Sequence, residues 1–134
     1  MSEFVFLYRP PQGPSLSPEE LAAVMRERSV SLYDTLLAIR PSPVVALNRA
    51  IAVAERDGPA EGLREIRNIP DLGRLATYPF FPAAVGELEI RMGRPAAARE
   101  HFEAAVRLAR SPMERRFLDQ RVAACKSTER QVTQ

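Results

Sequence analysis

Prolines placed directly after helix-capping residues constrain the fold of this chain more than any other feature of its sequence. Proline suits the first position of a helix because its missing N–H would have no partner there, and the preceding residue caps the helix. The four pairs are Ser17 and Pro18, Ser42 and Pro43, Gly58 and Pro59, and Ser111 and Pro112. Glu20 and Glu114 complete a capping-box pattern after Ser17 and Ser111. Helices are therefore predicted to begin at all four prolines.

Apolar residues between these starts recur at helical rather than alternating intervals. The predicted helices cover residues 18–39, 43–57, 59–68, 80–92, 95–110 and 112–126. We expect the first to break near Arg28 and Ser29, where the pattern turns polar. The pattern as a whole predicts an all-α fold of antiparallel helical hairpins.

The two ends of the chain are predicted to lie outside the helical domain formed by its middle. Residues 1–16 are predicted to form an extended arm, because Phe4–Tyr8 is strand-like but has no partner strand and a proline-rich connector follows it. Residues 17–126 form the predicted helical domain. Residues 127–134 are polar and are predicted to be a flexible tail.

Length and composition indicate one globular domain. The chain has 134 residues, of which 46% are hydrophobic, enough for one core without disulfides or metal ions. Cys125 is the single cysteine, which excludes an internal disulfide and favours a reducing cytoplasm. No apolar run approaches the length of a membrane span, and the first residues lack the features of a signal peptide. We expect a cytoplasmic protein without a membrane partner.

Basic residues are concentrated in the C-terminal part. The net charge is +2, but from Arg91 onward ten Arg or Lys residues face five Asp or Glu residues. Such a region can attract phosphates. We favour solvated helix faces, because no aromatic residues are interleaved with the arginines and no nucleic-acid motif is present.

An internal repeat relates two helical hairpins. Sliding the chain so that Gly58 falls on Gly93 also aligns Arg56 with Arg91. The second unit resembles a tetratricopeptide repeat, since small residues and one aromatic occupy the family's packing positions. These are Gly86, Gly93, Ala98, Phe102 and Ala105. The resemblance implies that Phe102 packs between helical hairpins.

A second resemblance covers residues 29–124. The segments "LYDTLLAIRPSPVVALNRAIAVAERDGPAEGL", "GRLATYPFFPAA" and "RMGRPAAAREHFEAAVRLARSPMERRFLDQRV" resemble the C-terminal tetratricopeptide-like extension of a group of bacterial extracytoplasmic-function sigma factors. The resemblance implies an interaction module of the transcription machinery. Residues 1–28 resemble nothing in that family, so promoter recognition does not carry over. The chain is interpreted as either a shortened descendant or an excised domain.

No constellation of catalytic or metal-ligating residues stands out. His101 is the single histidine and lies on an amphipathic helix, and Cys125 reads as a small packing residue. The six glycines are scattered rather than grouped in a phosphate-binding loop. We expect no enzyme activity, no catalytic residue, no cofactor and no metal.

A protein-binding groove is the expected functional site. Carried over from the tetratricopeptide pattern, its main residues are Asn48, Glu55, Arg56, Phe80, Glu87 and Arg91. Two arginines aligned by the repeat suit a partner's carboxylate or extended backbone. The alternative is that Arg56 and Arg91 pair with Glu55 or Glu87, or cover the turn glycines, and that Asn48 satisfies a neighbouring loop.

The expected function is thus non-catalytic: a helical-repeat module that modulates transcription initiation through protein contacts. Its partner would be RNA polymerase, a sigma region or a signalling protein, with DNA involved only indirectly. One alternative is a stand-alone scaffold without a transcription role. The other is a nucleic-acid binder that uses the basic C-terminal half. The sequence leaves the oligomeric state open.

Overall fold

The computed structural model describes residues 17–132 and is all-α there, as predicted. These residues form six α-helices and one short 3-10 helix, with no strand among them. The helices are α1 (Pro18–Ile39), α2 (Pro43–Asp57), α3 (Pro59–Arg67), α4 (Phe80–Arg91), α5 (Pro95–Leu108) and α6 (Pro112–Val132), and the 3-10 helix Leu72–Leu75 lies between α3 and α4. The predicted extended arm, residues 1–16, lies outside the described residues.

The predicted caps form at the first two helix starts. The Ser17 hydroxyl accepts the Glu20 N–H at 3.1 Å, and the Glu20 carboxylate accepts the Ser17 N–H at 3.4 Å, which completes a capping box. The Ser42 hydroxyl accepts the Val45 N–H at 3.4 Å. Short-range hydrogen bonds of this kind depend on a few neighbouring residues, which is why the sequence predicts them well.

Helix α6 begins at Pro112 as predicted, but its capping hydrogen bonds and its end differ from the prediction. The Ser111 hydroxyl accepts the Glu114 N–H at 3.1 Å as expected, but the Glu114 carboxylate accepts the N–H of Arg110 at 2.9 Å rather than that of Ser111. The helix also continues to Val132 instead of ending near Lys126. Residues 127–132 of the expected tail are therefore helical.

Helix α1 is continuous over 22 residues, so the predicted break near Arg28 and Ser29 is wrong. The Ser29 hydroxyl donates to the carbonyl oxygen of Met25 at 3.0 Å, four residues earlier. A hydroxyl that bonds back in this way is accommodated inside a helix. A local polar stretch therefore does not end α1.

Consecutive helices pack against one another. The closest neighbours are α1 with α2, α2 with α3, α4 with α5, and α5 with α6, while α3 and α4 touch less extensively. Gly58 and Gly93 lie in the α2–α3 and α4–α5 turns with φ of 102° and 76°, in the region that glycine tolerates best. Two hairpins result, α2–α3 and α4–α5, with α1 before them and α6 after them.

Two main clusters form the core. The first joins α2, α3, the 3-10 helix and α4 and contains Leu47, Ala50, Ala54, Leu63, Ile66, Ile69, Leu75, Ala84 and Leu88. The second joins α4, α5 and α6 and contains Ala83, Ala98, Phe102, Ala105, Leu118 and Cys125. No helix among residues 17–132 is long and apolar enough to cross a membrane.

Phe102 is completely buried, in the cluster that joins α4, α5 and α6, whereas the sequence predicted a place between two hairpins. A Cβ added at Gly86 would lie only 3.0 Å from the Phe102 ring, so the glycine lets α4 approach the ring closely. Gly62 plays the same part in the first hairpin, where an added Cβ would lie 2.5 Å from the Cβ of Ala54. The full tetratricopeptide packing geometry stays a prediction.

Candidate functional site

A groove of about 420 Å³ runs between α1 and α2. Its lining, which we call the α1–α2 groove, consists of Ala22, Met25, Arg26, Ser29, Tyr33, Asn48, Ile51, Ala52 and Glu55. The residues from α1 and those from α2 each recur every three or four positions, so they occupy one face of each helix. The groove thus has an apolar base with polar groups distributed along it.

Three polar side chains in the α1–α2 groove are half-buried: Arg26, Tyr33 and Asn48. None of the three makes a side-chain hydrogen bond or ion pair with another residue of the range 17–132. The Asn48 amide offers two donors and an acceptor, and the Arg26 guanidinium offers five donors. These groups are available to a ligand lying in the groove.

Two of the predicted site residues, Asn48 and Glu55, line this groove together. Glu55 is exposed and accepts a hydrogen bond from Arg91 at 3.4 Å, which links α2 to α4. Arg91 therefore lies beside the groove, and its guanidinium has a carboxylate within the same chain. Arg91 was interpreted either as a partner-binding residue or as one paired within the chain, and the structure shows it paired with Glu55.

Arg56 is also paired, but not with the acids that the sequence suggested. Its guanidinium donates to Asp57 at 2.8 Å and to Glu27 of α1 at 3.1 Å. The hydrogen bond to Asp57, and the one to Glu27, raise the pKa of Arg56 above its ordinary value. Arg56 does not line the α1–α2 groove.

Glu87 and Phe80 lie apart from the α1–α2 groove. The Glu87 carboxylate accepts two hydrogen bonds from Arg121 of α6, at 2.7 and 2.9 Å. Phe80 is 39% exposed, and its ring meets that of Tyr78 edge to face with centroids 5.5 Å apart. The structure therefore does not gather all six predicted residues into one site.

An arginine next to the groove holds its two helices in place. Arg49 donates to Asp34 of α1 at 2.6 Å and to Glu65 of α3 at 2.7 Å. The hydrogen bond to Asp34 is the largest cause that raises the pKa of Arg49, so the guanidinium stays charged at any ordinary pH. This three-residue link ties α1 and α3 to opposite sides of α2.

Sequence reasoning missed the α1 side of the groove. Met25 and Arg26 contribute to the lining, but they precede residue 29, where the resemblance to known families begins and α1 was expected to break. Tyr33 also lines the groove and lies within the resemblance, but it was not assigned to the site. The intervals from Ala22 through Met25 and Ser29 to Tyr33 were the available signal. These intervals identify one face of α1, but they do not indicate which helix packs against that face.

The residues considered for catalysis are separate from this groove. His101 is half-buried on α5, and Cys125 is fully buried on α6. Burial raises the pKa of the Cys125 thiol above its ordinary value, which disfavours the nucleophilic thiolate. Among residues 17–132 no group of three or more His, Cys, Asp or Glu side chains is arranged to hold a metal ion.

A protein of Rhizobium meliloti (strain 1021), named only as an uncharacterized protein, is 37% identical to this chain over 87 residues. The aligned stretch covers 65% of this chain and 20% of that relative, so it spans a fifth of the relative's length. No protein-family model and no solved structure matches the chain. The relative's name states no activity or partner.

Proposed function

We propose that the protein is a non-catalytic helical-repeat interaction module that binds a partner protein in the α1–α2 groove and modulates transcription initiation through that contact. The observation that carries the proposal is the set of half-buried groups without partners among the described residues: Arg26, Tyr33 and Asn48. Their unpaired polar atoms are accessible to water, so a ligand lying in the groove can replace that water as a hydrogen-bond partner.

An extended peptide matches these groups. The Asn48 amide has both a donor and an acceptor for the N–H and C=O of a peptide backbone, while Arg26 suits a carboxylate. Met25 and Ile51 supply an apolar surface for the peptide's side chains. Glu55 at the groove has carboxylate oxygens that can accept a further N–H group besides the one from Arg91.

The link to transcription rests on the resemblance to sigma-factor extensions, and two elements of the first segment quoted for it, the Tyr-Asp pair and the Asn-Arg pair, meet here. The Tyr-Asp element contributes Tyr33 to the groove and Asp34 to the ion pair with Arg49. The Asn-Arg element contributes Asn48 to the groove and Arg49 to the same ion pair. The residues that carry the resemblance thus build the proposed binding surface and its support. The match to a fifth of a longer relative suits a module joined to other regions.

The test compares two variants in capture experiments from lysate of the native host, quantified by mass spectrometry. The groove variant is Arg26→Ala with Asn48→Ala. The matched control is Arg67→Ala with Asn68→Ala, an exposed arginine and an exposed asparagine at the end of α3. Wild type and control are expected to enrich polymerase subunits or sigma factors, and the groove variant should lose at least tenfold, about 1.4 kcal/mol. Circular dichroism confirms that all three are folded.

Titration of the captured protein, purified, against each variant completes the test. If polymerase subunits and sigma factors are absent from the wild-type capture, the transcription role is rejected and a scaffold without that role is the remaining reading. If they are captured equally by the groove variant and the control, the α1–α2 groove is not the binding site.

A further inference from the structure

A second concave surface lies at the opposite end of the helical stack, where the α5–α6 turn meets the solvent face of α6. It is an open depression of about 650 Å³. We call it the α6 notch, and its lining consists of Ala109, Arg110, Ser111, Pro112, Arg115, Arg116, Asp119, Gln120 and Ala123. None of these residues belongs to the α1–α2 groove.

The three arginines of the notch are exposed and lack carboxylate partners among residues 17–132. The guanidinium of Arg110 lies 5.9 Å from the centroid of the Tyr78 ring, and those of Arg115 and Arg116 make no ion pair within the described chain. Arginines elsewhere in the fold behave differently. Arg99 and Arg121, for example, each approach a glutamate within 2.7 Å.

The acidic residues nearby do not neutralise the notch. The Glu114 carboxylate is engaged by the backbone N–H of Arg110 at the start of α6. Asp119 lines the notch four residues after Arg115, a helical spacing at which pairing is common, yet the two make no ion pair. The notch is therefore lined by three positively charged arginines, Arg110, Arg115 and Arg116. It is also lined by the Asp119 carboxylate, which accepts no hydrogen bond within the described chain.

This combination fits an acidic polypeptide better than a nucleic acid. Arginine binds carboxylates through paired N–H donors, and a peptide backbone offers N–H donors to Asp119 and Gln120. A phosphodiester backbone offers only acceptors there, so Asp119 would repel it. Sequence-tolerant binding of single strands also relies on exposed aromatic platforms, and no aromatic side chain lines the notch.

We propose that the α6 notch binds an acidic segment of a partner protein, independently of the α1–α2 groove. Arg115 and Arg116 hold its carboxylates, and Asp119 and Gln120 accept its backbone N–H groups. The surface is distinct from the one assigned above, so either can fail without the other.

The experiment uses the purified full chain and a fluorescent ten-residue peptide with four Asp or Glu side chains. Its Asn and Gln counterpart, a polyphosphate of equal charge and a single-stranded oligonucleotide serve as comparison probes. The variant is Arg115→Gln with Arg116→Gln. Its matched control is Arg67→Gln with Arg74→Gln, two exposed arginines that also lack ion pairs within the described chain.

We expect the acidic peptide to bind wild type and control alike and the notch variant at least tenfold more weakly, with affinity falling as salt rises. The amide peptide and the polyphosphate should bind wild type at least tenfold more weakly than the acidic peptide. Equal binding of polyphosphate, tighter binding of the oligonucleotide, or an unaffected notch variant would each overturn the proposal.

Nuclear magnetic resonance of the wild-type protein provides a readout that does not depend on the variant's folding. The acidic peptide is expected to shift amide signals within residues 109–123. Shifts concentrated instead at residues 22–33 and 48–55 would assign the peptide to the α1–α2 groove and would also reject the notch.

Discussion

The α5 helix and the α1 helix bury their apolar residues to very different degrees. Helix α5 packs between α4 and α6 and buries Phe102 completely, together with Ala98 and Ala105. Helix α1 packs mainly on α2 and buries only Val30 among 22 residues. Its large exposed apolar residues are Val24, Leu32, Leu36 and Ile39. Burial therefore follows the number of neighbouring helices more closely than the hydrophobic content of each helix.

The same difference bears on function. Helix α5 is covered by α4 and α6, whereas the face of α1 toward α2 retains the α1–α2 groove. Arg49 links α2 to both neighbouring helices beside that groove, through Asp34 of α1 and Glu65 of α3. The α4–α5 hairpin thus contributes to the core, and α1, which packs mainly on α2, supplies one side of the proposed binding surface.

The largest expected effect is at Phe102. Phe102→Ala should lower the free energy of unfolding by about 3–5 kcal/mol, because it leaves a cavity among fully buried neighbours. Leu36→Ala, the matched change on the exposed face of α1, should cost less than about 0.5 kcal/mol. Urea titration followed by circular dichroism measures both. Equal losses of unfolding free energy in the two variants would contradict the difference in burial between α5 and α1.

Close helix contacts give the next effect. Gly62→Ala should cost about 1–3 kcal/mol, because the new Cβ would lie 2.5 Å from that of Ala54 and 3.2 Å from the backbone oxygen of Ala50. Gly73→Ala is the control, since an added Cβ there meets nothing within 4 Å. Thermal and urea unfolding should separate the two variants, and a neutral Gly62→Ala would show that α2 and α3 can move apart freely.

Amide hydrogen exchange of the unsubstituted protein compares the local stability of α5 and α1 directly. Amides in the middle of α5 should exchange at least tenfold more slowly than those in the middle of α1, about 1.4 kcal/mol in opening free energy. The reason is that, among the described helices, α1 packs mainly on α2, whereas α5 packs on both α4 and α6. Similar protection in both helices would indicate that the whole chain opens as one unit.

The smallest expected effect concerns Cys125. Because burial raises the pKa of its thiol, the folded protein retains that proton at pH values where the unfolded chain loses it. Stability should therefore fall as the pH rises through the thiol range near 9, and Cys125→Ala should lose this part of the dependence. Thiol labelling below that range should be slow until denaturant is added. Rapid labelling of the native protein would place Cys125 outside the core.

Some residues of the α1–α2 groove were assigned to the site from the register of the sequence repeat, and others were not. Asn48 and Glu55 were predicted from the tetratricopeptide pattern, and both line the groove. Arg26 and Tyr33 were missed because they lie on α1, whose face toward α2 is defined only by packing. Glu87 was assigned to the groove, but it is bound by Arg121, which follows it by 34 residues.

The sequence by itself determined the helix starts and the all-α fold. Ser17 and Ser42 cap helices through hydrogen bonds to residues three positions away, so a short segment contains all the required information. Only the tertiary structure decided which polar side chains are satisfied within the chain. The ion pairs of Arg56 with Glu27 and of Arg91 with Glu55 join residues 29 and 36 positions apart. Such pairs form only where packed helices bring the two charges within a few ångströms, and that distance depends on the side chains buried between them.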